Sequence, residues 1–145
     1  MTSLTGRKKR RVCERRGFTL VEILVVVVVV GILATIAIPK LQGSRESAHF
    51  SKIQQDLRNV GTAQELHFRD HGGYADDPED LIFHGAEAVT VSVHEVAPSG
   101  WAASATHQAL AGDEGCALYF GDVEPPELPD GSPHEGGEGT VRCTG

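Results

Sequence analysis

Five groups of side chains in this 145-residue chain could do chemistry. Glu22 is the single ionised residue within residues 18–38. A carboxylate near a membrane interface costs on the order of a few kcal/mol if left unpaired, so it implies a partner. Its simpler reading is an acid at a helix start, where the dipole favours negative charge. His67 and His71 lie four apart and would share a helix face. The intervening Phe68-Arg69-Asp70 lacks the Glu of a zinc-protease helix, so the pair reads as a solvated helix end, not a metal site. Asp76-Asp77-Pro78-Glu79-Asp80 reads as a helix start, with Asp77 as N-cap and Pro78 in the first turn, ahead of a calcium site. Residues 121–139 hold several acids without the aspartate spacing of an EF-hand. Of the cysteines, Cys116 has no His and acid arrangement behind it for nucleophilic catalysis. With no nucleophile, metal cluster or phosphate loop, no catalytic residue, metal or cofactor is expected, and an enzyme is the weakest reading.

The element that carries Glu22 dominates the chain. Residues 23–38 hold no charge, and only Gly31 and Thr35 interrupt the aliphatic side chains. At about 1.5 Å per residue, a helix over residues 18–38 spans roughly 30 Å, the thickness of a bilayer's hydrocarbon core. The six valines 25–30 favour strands in water. In lipid an isolated strand leaves its backbone unpaired, so a helix is predicted. The run is too long for a secretory h-region and no Ala-x-Ala site follows, so it is expected to stay in the mature protein. Pro39 removes one helix hydrogen bond and crowds the Thr35 carbonyl. With Gly31 upstream, residues 31–39 are a predicted weak point, as a kink or a melted stretch.

Charge divides the chain at the same place. Residues 1–17 carry seven basic side chains and one acid, a net +6, and the remaining 128 residues carry 6 basic and 19 acidic ones, a net −13. The basic head beside an apolar run reads as a topology signal that keeps the N-terminus in the cytoplasm and the body outside. The acidic body matches nucleic-acid phosphates poorly, so direct nucleic-acid binding is not expected. At this length one small domain is expected, and a multi-domain enzyme is excluded.

Arg16-Gly17-Phe18-Thr19-Leu20-Val21-Glu22, followed by the aliphatic run and Pro39, resembles the prepilin signature of type IV pilins and pseudopilins. The signature joins a basic leader, a Gly-Phe junction, a Glu four residues after that Phe, an apolar helix and a Pro at its far end. The close match covers residues 7–41. The resemblance implies cleavage between Gly17 and Phe18 by a prepilin peptidase and N-methylation of Phe18. It also implies extraction of the helix from the membrane into a filament, with Glu22 paired to the Phe18 amine of a neighbouring subunit. Physical chemistry is consistent with that scheme. Cleavage would strip a cationic leader that is costly to move through a bilayer. The new amine would meet a carboxylate in a low-dielectric core, where a pair can fix register and a lone Glu is penalised.

Beyond Pro39, Phe50, Ile53, Leu57, Val60 and Ala63 recur at spacings of three and four, with Leu66 and His67 continuing the face. Arg45, Glu46, Lys52, Asp56, Arg58 and Glu65 fill the other faces. The helix should run to about Asp70 and stop at Gly72-Gly73. Residues 89–96 alternate as a half-buried strand, and residues 101–106 and 116–120 read as further strands. Trp101 reads as a core anchor. Residues 121–142, rich in Pro, Gly and acids, have no apolar period. The segment with Gly100-Trp101 and Cys116 resembles the sheet of short pilins with a terminal cysteine pair. A body outside the inner membrane meets an oxidising compartment, so a Cys116–Cys143 disulfide is expected. Cys13 belongs to the leader and should stay reduced.

The expected fold class is therefore α+β. A long N-terminal helix packs its amphipathic half on a three- or four-stranded antiparallel sheet, in the lollipop form of a pilin. The segments are a leader at 1–17, an apolar assembly helix at 18–39, an amphipathic helix at 40–71 and a sheet head at 72–145. The expected function is a structural subunit of a type IV pilus-like filament. Its implied partners are copies of itself or other pilins, the prepilin peptidase, an inner-membrane assembly platform and membrane lipid before assembly. One alternative is a pseudopilin of a type II secretion system. Another is a single-pass membrane protein with an outward binding head. The expected location is the inner membrane before assembly and a periplasm-spanning or surface filament afterwards.

Overall fold

The computed structural model describes residues 17–144. Most of the leader, with its basic residues and Cys13, lies outside the described residues. The described chain forms one long helix, one short helical turn and a four-stranded sheet. It divides into two units between Pro39 and Lys40, which are taken separately below.

The first unit is the apolar part of helix α1 (Leu20–His71). Every side chain over residues 18–33 is exposed. The helix continues unbroken through Gly31 and Pro39. Intrahelical hydrogen bonds satisfy the backbone here without help from neighbours. The Thr35 hydroxyl donates to the Ile32 carbonyl at 2.7 Å, one turn before the proline. The helix is also the longest apolar element in the described chain, long enough to cross a membrane by length and composition.

The second unit holds the amphipathic part of α1 and the sheet. Strands β1 (Val89–Ala97), β2 (Gly100–His107), β3 (Gly115–Gly121) and β4 (Arg142–Cys143) lie in the order β1-β2-β3-β4, all antiparallel. Ile53, Leu57, Val60 and Ala63 form the buried stripe of α1. They pack in one core with Trp101, Ala103, Ala105, Cys116 and Leu118. Val89, Val91 and Val93 of β1 close that core from the side, as their alternation predicts. Between Val93 and Glu95 the register shifts at His94. Such an extra residue bends an edge strand and interrupts its pairing.

Local signals account for the boundaries. Gly72 takes φ +76°, and its N–H donates to the Phe68 carbonyl at 2.7 Å, so α1 ends in a left-handed cap that glycine adopts without strain. Asp77 caps a single 3₁₀ turn (Pro78–Asp80), accepting the Glu79 N–H at 2.8 Å. The expected helix start is therefore present, but the following Leu81 is extended and the turn goes no further.

Two polar residues depart from the amphipathic reading. Gln64, not Leu66, continues the buried face. Gln64 is fully buried, whereas Leu66 is 43% exposed. The Gln64 amide donates to the Ala75 carbonyl and accepts the Ala75 N–H, each at 2.8 Å. Asp56 is also buried and accepts the Ala86 N–H at 2.7 Å. Both side chains answer backbone groups of the loop that crosses the helix, and such groups must find partners once buried.

Candidate functional site

The residues with the strongest chemical pattern sit at the start of α1. Thr19 and Glu22 form a reciprocal cap. The Glu22 N–H donates to Thr19 Oγ1 at 3.2 Å, and the Thr19 N–H donates to Glu22 Oε2 at 3.4 Å. This Thr-x-x-Glu arrangement satisfies two of the backbone donors a helix start leaves free. It also places the Glu22 carboxylate where the helix dipole favours an anion. Phe18, directly before the cap, is 78% exposed. Phe18, Leu20, Ile23, Leu24, Val27 and Val28 line a shallow apolar groove beside the cap. One carboxylate thus stands at the head of an otherwise uncharged, uncovered surface. Thr19 was legible as a partner for Glu22 from the three-residue spacing alone.

Gly31 and Pro39 lie within the continuous helix. A side chain on Gly31 would meet nothing within 4 Å.

Cys116 and Cys143 are cross-strand partners of β3 and β4 and form a disulfide across a separation of 27 residues. The segment they close has little secondary structure, but it is tied down by single contacts. The Tyr119 hydroxyl donates to the Gly136 carbonyl, the Gly121 N–H to Glu138, and His134 Nε2 to the Thr140 carbonyl, all at 3.0 Å. Leu128, within this segment, is buried. At the chain's end the Gly115 N–H donates to Thr144 Oγ1 and the Thr144 N–H to the Gly115 carbonyl.

One histidine pair escaped the sequence reading because its members are 58 residues apart. His107 Nε2 and His49 Nδ1 are 3.2 Å apart. The Ala109 N–H donates to His107 Nδ1 at 3.1 Å, so His107 carries its proton on Nε2 and donates it to His49. Burial, then the neighbouring His49 and Lys52, hold the His107 pKa below its ordinary value. The other pair, His67 and His71, stacks on the last turn of α1 with ring centroids 4.2 Å apart. Trp101 is buried, as expected of a core anchor.

Residues 14–38 match a family model described as the prokaryotic N-terminal methylation motif. The chain is 36% identical over 68 residues to the type II secretion system core protein G of Pectobacterium carotovorum, covering 47% of this chain and 44% of that protein. It is 29% identical over 105 residues to the type IV wide pilus major component PilA4 of Thermus thermophilus, covering 72% and 79%. It is 37% identical over 70 residues to the type IV major pilin PilA of Myxococcus xanthus, covering 48% and 32%. The chain thus spans under half the length of the secretion relative. The family model covers the Thr19–Glu22 cap and the apolar part of the helix up to Ile38, and the strands beyond the helix form a small antiparallel sheet. The chain thus carries the N-terminal methylation motif on a long helix beside a small antiparallel sheet, and is similar to type IV pilins and to type II secretion core protein G.

Proposed function

We propose that this chain is a non-enzymatic structural subunit of a type IV pilus-like filament. The observation that carries the reading is the uncovered apolar surface of residues 18–33 with a lone carboxylate at its head. Such a surface is stable in lipid or among like helices and unfavourable in water. Before assembly the helix spans the inner membrane with the leader in the cytoplasm, in line with the basic residues before it. Prepilin peptidase cuts between Gly17 and Phe18 and the Phe18 amine is methylated. Glu22 then pairs with the Phe18 amine of a neighbouring subunit, which fixes the register of the helices. Gly31 and Pro39 mark the stretch of α1 that opens during packing.

A pseudopilin role in type II secretion is the second reading, favoured by the similarity to core protein G over 68 residues. The first reading is supported by the longer similarity to a pilus component, which extends into the sheet.

Mass spectrometry of filaments sheared from the cell surface tests both. The pilus reading expects this chain in the sheared fraction, beginning at methylated Phe18. Residues 1–17 retained in assembled protein would refute the processing. Correct processing with no chain in surface filaments would favour the secretion role.

A further inference from the structure

The geometry points to a two-histidine site for a divalent transition-metal ion, of the zinc class, formed by His67 and His71 at the C-terminal end of α1. Neutral imidazole binds such ions through one ring nitrogen, and bound histidines typically donate the other N–H to a carbonyl or carboxylate, which fixes the tautomer. His67 has that arrangement, and His71 shows the same ring orientation before it turns to bind. His67 Nδ1 donates to the Gly73 carbonyl at 2.8 Å, and His71 Nδ1 donates to the His67 carbonyl at 3.2 Å. In the neutral rings each Nε2 is then the free acceptor nitrogen, and neither has a hydrogen-bond partner among the described residues. A helix places residues four apart on one face, so both ligands come from adjacent turns of a rigid element.

The electrostatics favour a cation there. The carbonyl end of a helix carries about half a negative charge. Asp70 lies between the two histidines in sequence and is ionised. It accepts a hydrogen bond from Arg69 Nε at 2.9 Å. His67, Asp70, His71 and Asp80 line one cleft of about 160 Å³, together with Arg69, whose charge is paired to Asp70. No group of three or more ligating side chains occurs among the described residues, so water fills the remaining coordination positions. The rings lie stacked, with an angle of 20° between their planes. Convergence on one ion requires the exposed His71 ring to turn, which gives up only its 3.2 Å bond. Imidazole ligands suit zinc, copper and nickel, whereas calcium and magnesium prefer oxygen.

Equilibrium dialysis of Zn²⁺ against the full chain in detergent tests the site, in a Cys13→Ser background that removes the leader thiol. One zinc per chain should bind saturably at pH 7.5 and be released at pH 5, since protons compete for the ligand nitrogens. His71→Ala should abolish that binding, because His71 is exposed and its loss leaves the fold intact. His94→Ala, on the sheet, should bind as the parent does, and excess Mg²⁺ should not compete. Absence of saturable zinc binding in the parent, or undiminished binding in His71→Ala, would overturn the proposal.

Discussion

Gln64 occupies a place on α1 where the apolar spacing calls for a hydrophobe, and it does so because the loop beneath it needs a partner. Its amide meets both backbone groups of Ala75. Gln64→Leu would keep the volume and leave that N–H and carbonyl buried without partners. At about 1–3 kcal/mol for an unmet buried group, the variant should lose about 3 kcal/mol of stability. Trp101, the sole tryptophan, is buried in the same core and reports unfolding by fluorescence. His107 makes the second residue-scale prediction. Its pKa is lower in the folded chain than in the unfolded one, so below about pH 6.5 the unfolded chain takes up the proton first. Stability is therefore full above that pH and falls as pH drops towards the folded value. His49 and Lys52 face His107 and reinforce the effect. The thermal midpoint should be lower at pH 5.5 than at pH 7.5, and His107→Gln should narrow the difference. An unchanged difference would place the titration elsewhere.

Elements were easier to read than their partners. The helix from its apolar run, its stop at Gly72 and three of the strands follow from period and punctuation. Strand β4 did not, because two residues carry no period and pair only where the disulfide brings them to β3. Asp56 and Gln64 were read as surface or passed over, since the loop carbonyls and amides they satisfy are set by tertiary packing. The bridge between Cys116 and Cys143 makes its own prediction. Closing a loop of this length restrains the unfolded chain by about 3–4 kcal/mol on the chain-entropy account, the cysteines being separated by 27 positions. Cys143→Ser should lower stability by that order and expose residues 121–142 to proteolysis. The turn at Gly121 is equally demanding. It has φ +77°, and a Cβ there would collide with the Ser99 carbonyl. Gly121→Ala should cost about 1–3 kcal/mol or more, measured by the same denaturation.

At the scale of the whole molecule, the chain carries an exposed apolar surface that is unfavourable in water, with one charge at its head. Glu22 serves the isolated chain as half of a capping box. In the proposed filament it also pairs with an amine. The two roles separate by substitution. Glutamine keeps a capping acceptor at this position and removes the charge, whereas alanine removes both. Losing the cap costs only about 1 kcal/mol of helix stability, which a long helix held in lipid tolerates. Glu22→Ala and Glu22→Gln should therefore both insert in the membrane at the parent level, by fractionation. If the charge pair sets register, both should yield few or no sheared filaments. If the cap alone matters, Glu22→Gln should assemble as the parent does while Glu22→Ala fails. Normal assembly of both variants would remove Glu22 from the mechanism and leave apolar packing to set the register unaided.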